Sequence, residues 1–260
     1  MLPDIVNFRD AGGHPSGEFA PGVVFRSSEL DRAAPEPLSE LQALKVRQVF
    51  DLRTAQEVAD AGDHLPAGIS LQPLDVMADG PANGASAIAA VFAHHVNRVT
   101  VDDLNRGLGA GRAFDLMTTA YSEFVTFDSA HTGFRDLLIG ISDSTGSSVV
   151  HCTAGKDRTG WGVALLQHIA GVHDDDIVQD FLSSNDAWAP TYEIILDEFA
   201  DLGGDRDALQ DILWVHADYL GAAIHAIDRE FGSRSSYLRT GLGLSDDDLG
   251  RLRHRLASAA

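Results

Sequence analysis

The sequence has 260 residues, with 19 Lys and Arg against 39 Asp and Glu, which gives a formal net charge of −20 at pH 7. So large an acidic excess argues against non-specific binding to nucleic acids or anionic membranes, because both need a basic surface. The composition, 44% hydrophobic and 22% charged, is typical of a globular protein with a buried core and excludes a disordered chain or a coiled coil.

Strand and helix patterns alternate in the N-terminal half of the chain. Three segments have the β-branched or apolar character of strands: Val23–Arg26, Gln48–Leu52 and Ile69–Leu74. Thr54 and Glu57 form a capping box that predicts a helix ending near Ala61. This alternation predicts an α/β fold, with a central parallel or mixed sheet flanked by helices.

Residues 75–111 are rich in Ala, Gly, Asn and Asp and predict a surface excursion, partly mobile, with one helical stretch around 86–99. Beyond this excursion, the short strand Val149–His151 is surrounded by helical patterns. The predicted helices are Ala113–Phe127, Ser129–Ile141, Gly162–Ala170, Asp174–Leu182, Thr191–Leu202, Asp207–Leu220, Ala222–Phe231 and a last one capped by Ser245.

The segment 151–160 reads His-Cys-Thr-Ala-Gly-Lys-Asp-Arg-Thr-Gly between the predicted strand and a helix. Five residues between a thiol and a guanidinium can form a loop whose inward amides bind a tetrahedral dianion. The residues expected at this anion are Thr153, Ala154, Gly155, Lys156, Asp157 and Arg158. Arg158 offers a planar fork for two oxygens, and with the helix dipole it stabilises Cys152 as a thiolate.

With this loop, the sequence resembles the cysteine-dependent phosphatases, whose signature is His-Cys-x5-Arg-Ser/Thr. It is more specifically similar to the bacterial tyrosine phosphatases typified by mycobacterial tyrosine phosphatase B. Further matching segments are Asn7–Asp10, Phe25–Leu30, Asp51–Arg53 and Tyr237–Arg239. The resemblance implies a single phosphatase domain over residues 1–260, with a helical lid in 206–232 and further helices at the C-terminus.

The positions of these residues, together with the resemblance, predict roles for individual side chains. Cys152 is the expected nucleophile, and Asp157 is the expected general acid, with Asp75 at the end of a strand as the alternative. Thr159 is expected to assist the departure of sulfur or to cap the helix. The residues His151, Asp51 and Arg53 are expected to support the loop, and Asn7–Asp10 to form a turn that buttresses it.

The expected substrates are phosphotyrosine proteins, with phosphoserine, phosphothreonine and phosphoinositides as further candidates. Lys156 either contacts a second phosphate, which favours phosphoinositides, or balances the charge of Asp157. No cofactor, metal, nucleic acid or stable membrane insertion is expected, and the oligomeric state stays open. The terminus has no apolar signal core, so we expect a cytoplasmic protein or one secreted without a standard signal peptide.

Two other classes of function remain as alternatives. Arsenate reductases use a similar cysteine loop but pass electrons through further thiols, and Cys152 is the single cysteine of this chain. An external thiol would then have to serve. A catalytically inactive phosphate-binding module is the second alternative, although such a module has no need of Cys152, Arg158 and the acid together.

Overall fold

The computed structural model describes residues 5–30, 40–80 and 101–258. It confirms the predicted α/β fold, with a five-stranded mixed sheet flanked by helices. The strands are β1 (Arg9–Asp10), β2 (Val24–Ser27), β3 (Val46–Asp51), β4 (Ser70–Pro73) and β5 (Ser147–His151), in the spatial order β1-β2-β5-β3-β4. Only β1 runs antiparallel to its neighbour in this sheet.

Helices occupy most of the remaining described chain. They are α1 (Ala55–Asp60), α2 (Val101–Leu108), α3 (Arg112–Thr126), α4 (Asp128–Asp143), α5 (Arg158–Ile169), α6 (Asp174–Asp201), α7 (Arg206–Leu213), α8 (Ala217–Phe231), α9 (Arg234–Ser236) and α10 (Asp246–Ala257). A π-helical turn, Tyr237–Gly241, follows α9. None of these helices combines the length and apolar character that a membrane crossing requires.

The alternation of side chains along the central strand β5 divides the core in two. Val150 belongs to the larger cluster, which contains side chains from α3 to α8. Val149 faces the opposite side, where Phe25, Leu41 and Ile5 pack. Every residue of β5 is buried, as expected of a central parallel strand covered on both faces.

The predicted helices Asp174–Leu182 and Thr191–Leu202 are one continuous helix, α6, with Pro190 inside it. The predicted break between them was wrong. The intervening side chains are polar because they contact buried polar groups, and not because the helix ends there. Ser184 is buried and contacts Asn7 and Arg26, so this turn faces other polar groups instead of an apolar core. The periodicity of apolar residues lapses there while the helix continues.

The predicted boundary between the next two helices was also displaced. α7 ends at Leu213 and α8 begins at Ala217, whereas the sequence indicated a single helix to Leu220. The residues of α8 pack into the main core, where Tyr219 and Ile227 are fully buried. The segment predicted as a lid, 206–232, contains α7 and α8, and the residues of α8 lie largely in the core.

The excursion predicted for 75–111 is only partly described. The helix expected around 86–99 lies outside the described residues. At the start of the excursion, Val76 and Met77 are buried in the main core, and α2 occupies residues 101–108. The described start of this segment is thus packed in the core, whereas most residues of α2 are exposed or half-buried, as expected of a surface segment.

Candidate active site

A loop of residues 152–157 connects β5 to α5 at the carboxyl edge of the sheet. His151 ends β5 and pairs with Ser27 of β2 and Asp51 of β3, so the loop begins between two other strand ends. Cys152, its first residue, is buried. This edge is where parallel α/β sheets bind their ligands.

Groups outside the loop fix its backbone carbonyls. The pairs are Cys152 O with His151 Nδ1 at 3.2 Å, Thr153 O with the Glu29 amide at 3.0 Å, Ala154 O with Trp188 Nε1 at 2.8 Å, and Gly155 O with Asn7 Nδ2 at 2.8 Å and Arg26 Nη2 at 2.9 Å. By contrast, no acceptor in the described parts of the chain bonds to the amides of residues 153–158. A loop with outward carbonyls and free amides is an anion-binding nest.

Two glycines allow this loop to approach its neighbours closely. Gly155 has a φ of +67°, and a Cβ at this position would overlap the backbone of Ser27. At the start of α5, a Cβ on Gly160 would lie 2.8 Å from the ring of Phe181. The loop can therefore rest directly on β2, and α5 directly on α6.

Charged side chains from the N-terminal segment hold the loop from below. Arg26, which is fully buried, bonds to Asp180 of α6 at 2.9 Å, and Arg9 bonds to the same carboxylate at 2.9 Å. Burial alone would raise the pKa of Asp180, but the two guanidinium groups lower it below its usual value. Asn7 and Ser184 complete this network, which fits the buttressing role expected of Asn7–Asp10.

Arg158 forms a bidentate ion pair with Glu57 of α1. Arg158 Nη1 and Nη2 each lie 2.7 Å from a Glu57 oxygen, and Nη1 also bonds to the Leu52 carbonyl at 3.3 Å. Thr153 Oγ1 donates to the same carboxylate. Although burial acts to raise the pKa of Glu57, Arg158 lowers it well below its ordinary value.

The sequence revealed only the local role of Glu57. The predicted capping box is present, because Thr54 and Glu57 cap α1 reciprocally. Glu57 and its ion-pair partner Arg158 are 101 residues apart in the sequence, and no local pattern points to such a partner.

Asp51, Arg53 and His151 meet in a second buried network, together with Asp63. Arg53 forms ion pairs with Asp51 at 2.9 Å and with Asp63 at 3.0 Å, and His151 Nε2 lies 3.0 Å from Asp63. Burial opposes protonation of His151, but the carboxylates raise its pKa. Asp51, Asp63 and His151 lie close enough to bind a metal, yet the Arg53 guanidinium already occupies both carboxylates.

Asp157 precedes α5 at its N-cap position, but its side chain makes no capping bond. Instead, Oδ1 accepts a hydrogen bond from the Tyr121 hydroxyl at 2.9 Å, and Oδ2 lies 2.8 Å from Lys156 Nζ. Asp75 is placed differently, because its carboxylate accepts bonds from the amides of Ala55 and Met77. Of the two candidate acids, only Asp157 lines the cavity described below.

Lys156 is buried and does not extend toward solvent. Besides Asp157, its Nζ donates to the Ile212 carbonyl of α7 at 3.0 Å. This arrangement supports the interpretation that Lys156 balances Asp157. The hydroxyl of Thr159 is also buried, and no described group bonds to it, so it remains available to a neighbouring atom.

A cavity of about 180 Å³ lies above the loop. We call the loop with the side chains that hold it the floor of the site; those side chains are Asn7, Arg26, Glu57 and Asp180. The residues of α6 and α7 that line the cavity form its roof: Trp188, Thr191, Tyr192, Ile195, Ile212 and Leu213. The floor is polar and charged, whereas the roof is mostly apolar and aromatic.

Comparison with known proteins agrees with this geometry. The sequence model described as "Tyrosine phosphatase family" matches residues 1–258. The "Triple specificity protein phosphatase PtpB" of Mycobacterium tuberculosis is 32% identical over 275 residues, which cover 97% of this chain and 96% of the relative. A tyrosine-protein phosphatase of Nostoc commune is 27% identical over 243 residues, 90% of this chain and 74% of that protein.

Proposed function

This chain belongs to the tyrosine phosphatase family and is a protein-tyrosine phosphatase, and we propose that it works through a phosphocysteine formed on Cys152. The observation that carries this mechanism is the loop itself. Its carbonyls are bonded outward, no described group accepts a bond from its amides, and the thiol of Cys152 lies at its first residue. A dianionic phosphoryl group bound by these amides brings its phosphorus next to the sulfur.

Arg158 supplies the remaining contacts to the phosphoryl group. A guanidinium has five N–H donors, and the bonds to Glu57 and Leu52 engage three of them. The Nε–H and the second N–H of Nη2 remain on one edge of the fork. Two parallel donors of this kind suit two oxygens of one phosphoryl group, and the ion pair with Glu57 fixes their direction.

In the first step, the Cys152 thiolate attacks phosphorus in line with the leaving oxygen. The S–P bond forms, the P–O bond breaks, and Asp157 gives its proton to the leaving oxygen. The amides and Arg158 stabilise the charge on the equatorial oxygens. Asp157 is preferred to Asp75 because only Asp157 lines the cavity.

In the second step, water attacks the phosphocysteine and returns a proton to Asp157. The S–P bond breaks, and the electron pair stays on sulfur as a thiolate. The hydroxyl of Thr159 is buried without a bonded partner, and we assign it the donation of a hydrogen bond to this sulfur. The mechanism needs no metal and no redox cofactor, since each step transfers only a phosphoryl group or a proton.

The cavity favours phosphotyrosine over smaller side chains. Its volume is about 180 Å³, and an apolar cavity of about 150 Å³ binds benzene. Tyr192, stacked on Trp188 at a centroid distance of 4.8 Å, offers an aromatic wall to a substrate ring. Phosphoserine and phosphothreonine could reach the same phosphate loop but would leave this wall unfilled.

Phosphoinositide hydrolysis is the less favoured part of the substrate range. Lys156 would have to leave Asp157 and Ile212 before it could contact a second phosphate. If it does so, Lys156→Ala will weaken activity on multiply phosphorylated inositol lipids far more than on a phosphotyrosine peptide. Equal losses on both substrates would leave Lys156 as the charge partner of Asp157 alone.

The deciding experiment measures turnover of p-nitrophenyl phosphate and binding of inorganic phosphate in the same variants. We expect Cys152→Ser to abolish turnover and keep phosphate binding, because the loop amides and Arg158 remain. Arg158→Lys should impair both, since a point charge cannot replace the fork. Full turnover in Cys152→Ser would eliminate the phosphocysteine mechanism, and arsenate reduction with an external thiol would be tested next.

A further inference from the structure

One hydrogen bond to the proposed acid comes from outside the loop. The hydroxyl of Tyr121, in the middle of α3, donates to Asp157 Oδ1 at 2.9 Å. We propose that Tyr121 is a positioning residue for phosphoryl transfer, which holds the Asp157 carboxyl toward the leaving oxygen. The inference rests on the proposed role of Asp157 as the general acid.

The position of the Tyr121 hydroxyl is fixed by the packing of its ring. Tyr121 is completely buried, and its ring lies 5.0 to 6.0 Å, between centroids, from the rings of Phe124, Tyr219 and Phe181. A phenol has one hydrogen to donate, and Asp157 receives it. Little rotational freedom remains for the donor, so the carboxyl that accepts the bond is oriented as well.

The conformation of Asp157 leaves its carboxylate to Tyr121 and Lys156. An aspartate that caps a helix has non-helical backbone angles and accepts a hydrogen bond from the second or third amide of the helix. Asp157 has helical angles, φ −84° and ψ −76°, and makes no such bond; Tyr121 and Lys156 engage its two oxygens instead. Without Tyr121, we expect the carboxylate to lose its fixed orientation toward the leaving oxygen.

The bond also distinguishes the two oxygens of Asp157. Because Oδ1 is held by the phenol, we take Oδ2 as the oxygen that carries the transferable proton, with its remaining lone pair facing Lys156. In the first step Oδ2 gives this proton to the leaving oxygen as the P–O bond breaks, and Lys156 Nζ, 2.8 Å from Oδ2, stabilises the carboxylate that results. The water of the second step restores the proton to the same oxygen.

Tyr121 remains a neutral donor throughout this cycle. Burial raises the pKa of its phenol well above the ordinary value, and the negative charge of Asp157 raises it further. The hydroxyl therefore keeps its proton at any pH at which the enzyme works. Its function is to orient the carboxyl, and the proton that reaches the substrate belongs to Asp157.

The test compares Tyr121→Phe with Tyr219→Phe on two substrates. Tyr219 belongs to the same buried ring cluster, but its hydroxyl donates to the Asp211 carbonyl, so Tyr219→Phe controls for loss of a buried hydroxyl. For phosphotyrosine, whose leaving oxygen is basic, we expect Tyr121→Phe to lower kcat about 10-fold with KM nearly unchanged. An aryl phosphate with a good leaving group should lose less than about 2-fold, since it needs little acid catalysis.

A double mutant separates this inference from the function on which it rests. In an Asp157→Asn background, Tyr121→Phe should have no further effect on kcat. Both residues act in the same proton transfer, and that transfer is already lost in Asp157→Asn. Equal losses on both substrates, or additive losses in the double mutant, would overturn the positioning role and leave Tyr121 as a packing residue. If Asp157→Asn itself shows no dependence on the leaving group, the assignment of the acid fails instead.

Discussion

The floor and the roof of the cavity are built from different interactions. The floor depends on buried charges, such as the ion pairs of Glu57 with Arg158 and of Asp180 with Arg26. The described roof consists mostly of apolar and aromatic side chains. Two hydrogen bonds join it to the loop, from Trp188 to the Ala154 carbonyl and from Lys156 to the Ile212 carbonyl of α7. Buried ionic partners have strict geometry, whereas apolar contacts are non-directional.

This difference separates the chemistry of the enzyme from its choice of substrate. The floor fixes the thiol, the amides and the guanidinium before any substrate binds, and such preorganised charge is what stabilises a transition state. The roof determines which shape of substrate group, attached to the phosphoryl group, fits the cavity. Changes in the floor should therefore lower turnover and stability together, and changes in the roof should act mainly on substrate affinity.

The largest effect is expected from Gly155→Ala in the floor. An alanine at this positive φ costs roughly 1–2 kcal/mol, and its Cβ overlaps the backbone of Ser27, so the loop must move away from β2. We expect turnover of p-nitrophenyl phosphate and phosphate binding to fall more than about 100-fold together. Gly250→Ala, in the open on α10, is the control and should stabilise the protein by roughly 0.5–1 kcal/mol.

Glu57→Gln should cost about 3–5 kcal/mol in the free energy of unfolding at neutral pH, because Arg158 then remains buried without its bidentate ion-pair partner. Urea unfolding measures this loss. The same substitution at Glu230, whose ion pair with Arg229 is exposed, should cost less than about 1 kcal/mol. Equal costs at both positions would show that the buried pair does not hold the floor.

The pair also predicts a pH dependence. The pKa of Glu57 is lowered in the folded protein, so its contribution to stability is fully present above the ordinary glutamate value of about 4.3 and is lost as the pH falls toward the lowered value. In Glu57→Gln, the free energy of unfolding should therefore depend less steeply on pH in this acidic range. An unchanged slope would contradict the ion pair.

Trp188→Phe should have a smaller effect, confined to the roof. It removes the hydrogen bond to the Ala154 carbonyl and preserves an aromatic ring beside Tyr192. We expect KM for a phosphotyrosine peptide to rise about 2- to 10-fold, with kcat nearly constant. Trp214→Phe is the control, since no described group bonds to the Trp214 indole nitrogen. A fall in kcat without a change in KM would place Trp188 with the floor.

Asp75→Asn should have the smallest effect, because Asp75 belongs to neither region. Its carboxylate accepts hydrogen bonds from the first amide of α1 and from the amide of Met77. At this end of a helix, the negative charge stabilises the folded protein by about 0.3–1 kcal/mol. Turnover of phosphotyrosine and of an activated aryl phosphate should be unchanged. A loss confined to phosphotyrosine would transfer the acid role from Asp157 to Asp75.

Local patterns predicted those features whose causes are local. The predicted capping box at Thr54 and the predicted cap at Ser245 are both present, because a cap and the amide that it binds are three residues apart. The predicted β-strands also agree with the observed strands to within a few residues, since alternation and β-branching act on each strand directly. The run from Cys152 to Arg158 indicated the anion loop for the same reason.

Features that depend on distant partners were missed. Tyr121 belongs to an apolar helical stripe, and nothing in that stripe distinguishes a core phenol from one that bonds to Asp157. Glu57 was identified as a cap but not as the partner of Arg158. Periodicity shows which face of a helix is buried, but it does not show which group lies against it.

The bonds from the N-terminal segment have a consequence for how the site is assembled. Asn7 reaches the loop across 148 residues, and Arg9 reaches α6 across 171. Contacts between such distant positions form late in folding. A long loop of chain must close first, and its entropy cost comes before the contacts contribute any favourable energy. During synthesis Cys152 emerges well before α6 is complete, so the thiol acquires its charged surroundings only when most of the chain is available.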